Sequence, residues 1–167
     1  GDLKNAYSFE WLGNTFYAIA KYSEAEESYL QAIQIYKDLN KIDSGIYLNL
    51  YNALGSTYYG RGDYEKSEKQ YRYALAGYEK YKQDKSFGII VSLHGIANSL
   101  YARLKIRDAE NYYIKAVDFQ KKLIGKDSYY ASILGNLGSL YINMGAQDKA
   151  EKILLEVVQL QKEDTLK

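Results

Sequence analysis

Apolar side chains recur along this chain at helical spacing. Phe9, Leu12, Gly13 and Phe16 stand at i, i+3, i+4 and i+7. The same set returns as Tyr51, Leu54, Gly55, Tyr58, as Leu93, Ile96, Ala97, Leu100 and as Leu134, Leu137, Gly138, Tyr141. Such a set lines one face of an α-helix, and strand alternation cannot produce it. A second helical face follows each of the first, through Tyr22, Ala25, Tyr29, Ala32, then Tyr64, Ser67, Tyr71, Ala74. Ile106, Ala109, Tyr113, Ala116 and Gln147, Ala150, Leu154, Val157 complete the series. The pattern predicts eight helices, at roughly 2–19, 22–39, 44–60, 63–83, 86–102, 105–124, 127–143 and 146–163.

The helices come in pairs that repeat. Small residues at Gly13, Gly55, Ala97 and Gly138 are separated by 42, 42 and 41 positions, and Ala25, Ser67, Ala109, Ala150 and Ala32, Ala74, Ala116, Val157 keep the same beat. Self-similarity at this period marks a solenoid, in which each unit buries its apolar face by stacking on its neighbours. The expected fold is an all-α α-solenoid of four helix-turn-helix units, at about 2–43, 44–85, 86–126 and 127–167. Small residues fall where the paired helices approach closely, and Tyr, Phe and Leu fill the space around them. Function is therefore expected in a surface rather than in a catalytic cleft.

With no proline in the chain, turns fall to Gly, Asn, Asp and Lys. Within units they are expected at Ala20-Lys21, Gly60-Arg61-Gly62-Asp63, Leu104-Lys105 and Met144-Gly145-Ala146. Between units Ser44, Ser86 and Ser128 keep the period, each preceded by an acidic residue, Asp43, Asp84 or Asp127; either member is a suitable cap for the next helix.

Composition narrows the function. A net charge of +1 gives no field for attracting nucleic acid or an anionic membrane, so neither is an expected partner. The absence of cysteine removes disulfides and thiolate metal sites and agrees with a reducing, cytoplasmic setting. No apolar run approaches the roughly 18 residues of a membrane span, and there is no secretory signal pattern. Gly1 stands where an initiator Met is usual, and the chain is expected to be a piece of a longer protein.

The repeated residues resemble the tetratricopeptide repeat (TPR) family. Its signature of an aromatic or Leu, then Leu-Gly, then Tyr, with Ala, Phe/Tyr and Ala in the second helix, is present as Tyr51, Leu54-Gly55, Tyr58, Tyr64, Ser67, Tyr71 and Ala74. The resemblance implies a right-handed α-solenoid, and the usual repeat of that family is about 34 residues. The extra length is expected to extend the helices around Asn40 to Asp43, and the period is similar to that of kinesin light chain-type repeats.

The resemblance implies that the first helices of the units line a concave groove, reached by residues about 100° round from the small-residue row. These are Tyr7, Glu10, Asn14, Tyr17, then Asn49, Asn52, Ser56, Tyr59, then Val91, His94, Asn98, Tyr101, then Ser132, Gly135, Ser139 and Ile142, with Trp11, Asn136 and Asn143 flanking them. Within them Tyr17, Tyr59 and Tyr101 form a ladder, and Asn14, Ser56, Asn98 and Ser139 form a polar row. Asn offers donor and acceptor together, and Tyr gives a flat apolar face with a polar tip. The resemblance implies that Asn14 and Asn98 hold ligand backbone. The candidate ligand-binding residues are Asn14, Tyr17, Asn52, Ser56, Tyr59, His94, Asn98, Tyr101 and Ser139. Relatives that clamp chaperone carboxylate tails use Lys, Arg and Asn here; Glu10, Asn52 and His94 disfavour that partner class.

Other motifs weigh less. Arg61-Gly62-Asp63 reads as a repeat turn rather than an integrin-recognition tripeptide. His94 is the only histidine and has no cysteine or second histidine with which to hold a metal, so neither metal nor cofactor is expected. The Glu24, Glu26, Glu27 cluster and the Glu65, Glu68 pair read as solvated helix surface. The last helix is apolar on more than one side, through Ile153, Leu154, Leu155, Val157, Val158 and Leu160, which calls for a cover: a further repeat, a partner or a homodimer. The leading expectation is a non-enzymatic scaffold binding a peptide or helix of a partner protein. The alternative is a sensory or dimerisation segment of a larger signalling protein.

Overall fold

The computed structural model describes residues 2–165, and they form eight α-helices with no strand among them. These are α1 (Leu3–Ala18), α2 (Tyr22–Asp38), α3 (Gly45–Gly60), α4 (Tyr64–Lys80), α5 (Phe87–Ala102), α6 (Ile106–Leu123), α7 (Ser128–Asn143) and α8 (Gln147–Thr165). Helical periodicity located every helix, with ends displaced by at most three residues. Positions 166 and 167 of the expected fourth unit lie outside the described residues. The chain divides into two compact parts, the first ending at Gly95 and the second beginning at Ile96, so that α5 contributes to both.

Each turn is closed by one residue in the left-handed region. Within the pairs it is Ala20 (φ 57°), Gly62 (85°), Leu104 (59°) and Gly145 (69°); between pairs it is Asn40 (52°), Lys82 (55°) and Gly125 (115°). The following N–H reaches back across the last helical turn, as in Lys21 to Phe16 O at 2.9 Å and Asp63 to Tyr58 O at 2.8 Å. This satisfies carbonyls that the helix end leaves open. Asn40 to Asp43 lie in such a link rather than in an extended helix, which corrects the expectation for the extra length. Capping uses both residue types. Ser44 Oγ accepts from Tyr47 N at 3.1 Å, whereas α7 is capped by Asp127, whose Oδ1 accepts from Tyr130 N at 2.9 Å.

The small-residue row has a specific cause. A Cβ added at Gly13 would stand 2.6 Å from the Tyr29 ring, and one at Gly55 2.8 Å from the Tyr71 ring. The ring of the second helix thus lies directly on the backbone of the first. At Gly138 the neighbour is Leu154 instead, at 2.7 Å. The partner small residues Ala25, Ala74, Ala109 and Ala116 are fully buried, and Ser67 in the same row donates its hydroxyl to Gly55 O at 2.8 Å.

Two changes test these causes by thermal melting. Gly55→Leu drives a side chain into Tyr71 and is expected to cost about 1–3 kcal/mol. Leu104→Gly removes an exposed leucine from a left-handed position and is expected to raise stability by about 1 kcal/mol. An unchanged melting temperature in either variant contradicts the corresponding cause.

Candidate functional site

In the first compact part the candidate residues separate into surface and interior. Tyr17 and Tyr59 stand half-open, at 40% and 37% exposed. Their rings lean on the first residue of the next helix, Tyr22 at 5.9 Å and Tyr64 at 5.2 Å between centroids. Asn14 Oδ1 accepts the Tyr29 hydroxyl at 2.7 Å, and Ser56 Oγ lies 2.8 Å from the Tyr71 hydroxyl and donates to Asn52 O at 3.2 Å. These two members of the polar row therefore recur for a packing reason, because each meets a tyrosine fifteen positions later. With Oδ1 occupied, exposed Asn14 keeps its amide N–H group as a donor.

Two candidates are interior. Asn52 is 5% exposed; its Nδ2 donates to Gly88 O at 3.0 Å and its Oδ1 accepts from Ser92 Oγ at 2.7 Å, tying α3 to the start of α5. His94 is 7% exposed. Burial pushes its imidazole down to about 4, which keeps it neutral at ordinary pH. Neither residue presents a free edge to a ligand, and both are corrected from groove lining to core. A rotation rule applied to one helix misses them, because it does not know what packs on the other side of that helix.

In the second part Asn98 Oδ1 accepts the Tyr113 hydroxyl at 2.6 Å, the third occurrence of the clasp, and also accepts from Asn136 Nδ2 at 3.3 Å. The Tyr101 hydroxyl accepts from Asn143 Nδ2. Ser139 has Leu154 where the other copies have tyrosine, and its exposed hydroxyl donates to Gly135 O at 3.0 Å within α7. The structure thus places Asn14, Tyr17, Ser56 and Tyr59 on α1 and α3 of one part, and Asn98, Tyr101 and Ser139 on α5 and α7 of the other.

Glutamates read as solvated surface hold helix pairs together instead. Glu26 Oε1 accepts the Tyr58 hydroxyl at 2.5 Å and its Oε2 accepts from Arg61 at 2.8 Å, while Lys66 lies 5.6 Å from the Tyr58 ring centre. Burial first, then Glu26, pushes the Tyr58 hydroxyl up to about 12. The arrangement recurs at Glu110: Lys149 stands 3.6 Å from its carboxylate and 4.9 Å from the Tyr141 ring centre, and burial followed by Glu110 raises Tyr141 to about 12. Glu68 is likewise buried beside Arg72, at 2.8 Å. The signal was in the sequence, since Glu26, Glu68, Glu110 and Glu151 keep the repeat spacing. Gly62 forms the turn between Arg61 and Asp63, as expected of that tripeptide. Among the described residues no cluster of His, Cys, Asp and Glu is suited to a metal, and no helix is long and apolar enough to cross a membrane.

The tetratricopeptide-repeat profile matches residues 4–80 and 88–163. The chain belongs to this family. No curated protein matches it by sequence. Among solved structures the TPR chain is similar to BtubC (BKLC) from P. vanneervenii, with a TM-score of 0.84 at 22% identity, covering 93% of this chain and 61% of that one. It is similar to a putative kinesin light chain of Podosopora anserina with nearly identical TPR-like repeats, at TM-score 0.72 and 19% identity, covering 95% and 76%. It is also similar to a Rap protein complexed with Competence and Sporulation Factor, at TM-score 0.85 and 15% identity, covering 98% and 44%. The chain therefore spans 61% of the length of BtubC and 44% of that of the Rap protein.

The buried His94 makes stability depend on pH. Its folded value, about 4, lies below the ordinary 6.5, so the unfolded chain binds the extra proton between them. Stability is complete above pH 6.5 and falls as pH drops towards 4, by up to about 3 kcal/mol. Denaturant melts of the TPR chain should show this decline already above pH 5, and His94→Gln should remove it in that range; an identical slope in the variant contradicts the assignment.

Proposed function

We propose that this TPR chain is a non-enzymatic interaction scaffold whose first-helix surface binds a peptide or helix of a partner protein. The reading takes the repeats as one array, in units at about 2–43, 44–85, 86–126 and 127–167. The observation that carries it is the pairing of an oriented donor with an open ring. Tyr29 holds Asn14 by its carbonyl oxygen, which leaves the amide N–H group of exposed Asn14 to a ligand, three residues before half-exposed Tyr17. A donor held in one orientation loses little entropy when it meets a ligand carbonyl, and a tyrosine face adds apolar contact at low rotamer cost. Tyr59 repeats the open ring on α3, and Asn98 and Tyr101 occupy the same register in the second part. The Rap protein complexed with Competence and Sporulation Factor lends support, being an array of this fold with a bound factor.

The test is capture of partners from the source cell by the chain and by a Tyr17→Ala/Tyr59→Ala variant. Each ring is half in solvent, so the variant is expected to lose at most about 1–2 kcal/mol of stability. Its captured partner should fall by roughly tenfold or more, the scale of a single aromatic anchor. Undiminished capture by a folded variant contradicts the reading.

A further inference from the structure

We propose that Glu10 receives a cationic side chain, lysine or arginine, from the peptide bound on the first-helix surface; the inference rests on the reading of that surface as a peptide site. In the second pair a polar knot ties α3 to α4 and to the start of α5. The Tyr78 hydroxyl donates to Asn49 Oδ1 at 2.5 Å, Asn52 Nδ2 donates to Gly88 O at 3.0 Å, and Ser92 Oγ donates to Asn52 Oδ1 at 2.7 Å. One repeat earlier the same positions hold Tyr36, Tyr7, Glu10, Ile46 and Leu50. The Asn52 position faces the first helix that follows, so Glu10 lies on the α3 side of α1. Its neighbours there have lost the donors of the knot. Leu50 has no hydroxyl, the Ile46 carbonyl is an acceptor that a carboxylate cannot use, and α3 carries no charged residue. Among the described residues nothing pairs with the Glu10 carboxylate, and the hydroxyl of Tyr36, a side chain only 2% exposed, has no hydrogen-bond partner.

These groups lie together at the surface already described. Burial first, then Tyr7 and then Glu10, raises the Tyr36 hydroxyl; burial, then Tyr17 and Glu10, raises that of Tyr29, which Asn14 accepts. Glu10 thus stands within electrostatic reach of both hydroxyls, beside the Asn14 donor and the Tyr17 ring. Burial also raises the Glu10 carboxyl itself, so its charge is kept at a desolvation cost that an opposite charge offsets. Glu10 is the only charged residue among the groove positions of α1 and α3. A cation fits what is left open. An ammonium or guanidinium donates to the carboxylate, the Tyr36 oxygen accepts a further bond, and the half-open rings of Tyr7 and Tyr17 favour a cation over their faces. An anionic side chain would meet like charge. An apolar one would leave the carboxylate and the buried hydroxyl unpaired, which costs their full desolvation.

The test is selection from a displayed library of random peptides, on the unaltered chain and on folded Glu10→Gln and Glu10→Lys variants, with affinities then measured by fluorescence anisotropy. The unaltered chain is expected to select peptides that share one Lys or Arg. Glu10→Gln should weaken them roughly tenfold, the scale of one charge-assisted hydrogen bond, and Glu10→Lys should select Asp or Glu at the shared position. Replacing the shared cation by Gln in the peptide should cost as much on the unaltered chain and little more on Glu10→Gln. Peptides that share no cation, yet are lost with Tyr17→Ala/Tyr59→Ala, overturn this inference and leave the peptide surface standing. A shared cation that contributes equally in the Glu10→Gln variant overturns it too. Selection of no peptide at all overturns the peptide surface, and the inference with it.

Discussion

The close seating of a tyrosine ring on a glycine backbone is the contact on which the first two helix pairs depend. Tyr29 on Gly13 and Tyr71 on Gly55 leave no room for a Cβ, so ring and backbone fix how near the two helices come. The hydroxyl then continues beyond the glycine to the next residue of the first helix, Asn14 or Ser56, and Tyr113 repeats the reach to Asn98. Packing at an interior density tolerates few alternatives, and the hydroxyl bond removes what rotational freedom the ring keeps. One side chain thus sets the spacing of a pair and, at Asn14 and Asn98, holds the amide by its carbonyl oxygen. That second consequence links the packing to the proposed binding surface.

A different chemistry joins successive pairs. Glu26 and Glu110 each reach a tyrosine on the first helix of the next pair, and a cation, Lys66 or Lys149, lies against that tyrosine ring. Carboxylate, phenol and ammonium satisfy one another at the edge of the core, where each alone would cost desolvation energy. Phe16 and Glu24 stand on the first pair where Tyr58 and Lys66 stand on the second.

The helices and their pairing were legible because each rests on local spacing: apolar residues every three or four positions, and small residues repeated at 42, 42 and 41. The turn at Leu104 was legible by register alone, since nothing in leucine favours a left-handed backbone. Side-chain roles were less legible where a residue's environment comes from a distant helix. Asn52 was placed on a surface by its angle on α3, yet Gly88 and Ser92 of α5 close over it. Glu26 lies in an acidic run that composition reads as solvated, and only the long-range match to Tyr58 reveals its bond. Asn14 and Asn98 carried a usable clue, a tyrosine fifteen positions on, that follows from neither helical nor repeat periodicity taken alone.

The central claim, that ring on glycine sets the helix pair, is tested most directly by a double-mutant cycle between Gly55→Ala and Tyr71→Ala. Beside the native ring, the added methyl is expected to destabilise, because the 2.8 Å separation leaves no space for it. With the ring removed, the same methyl should stabilise by about 1 kcal/mol through helix propensity. The account therefore predicts a change of sign and a coupling energy above about 1 kcal/mol. Strict additivity, with Gly55→Ala having the same effect in both backgrounds, would contradict it.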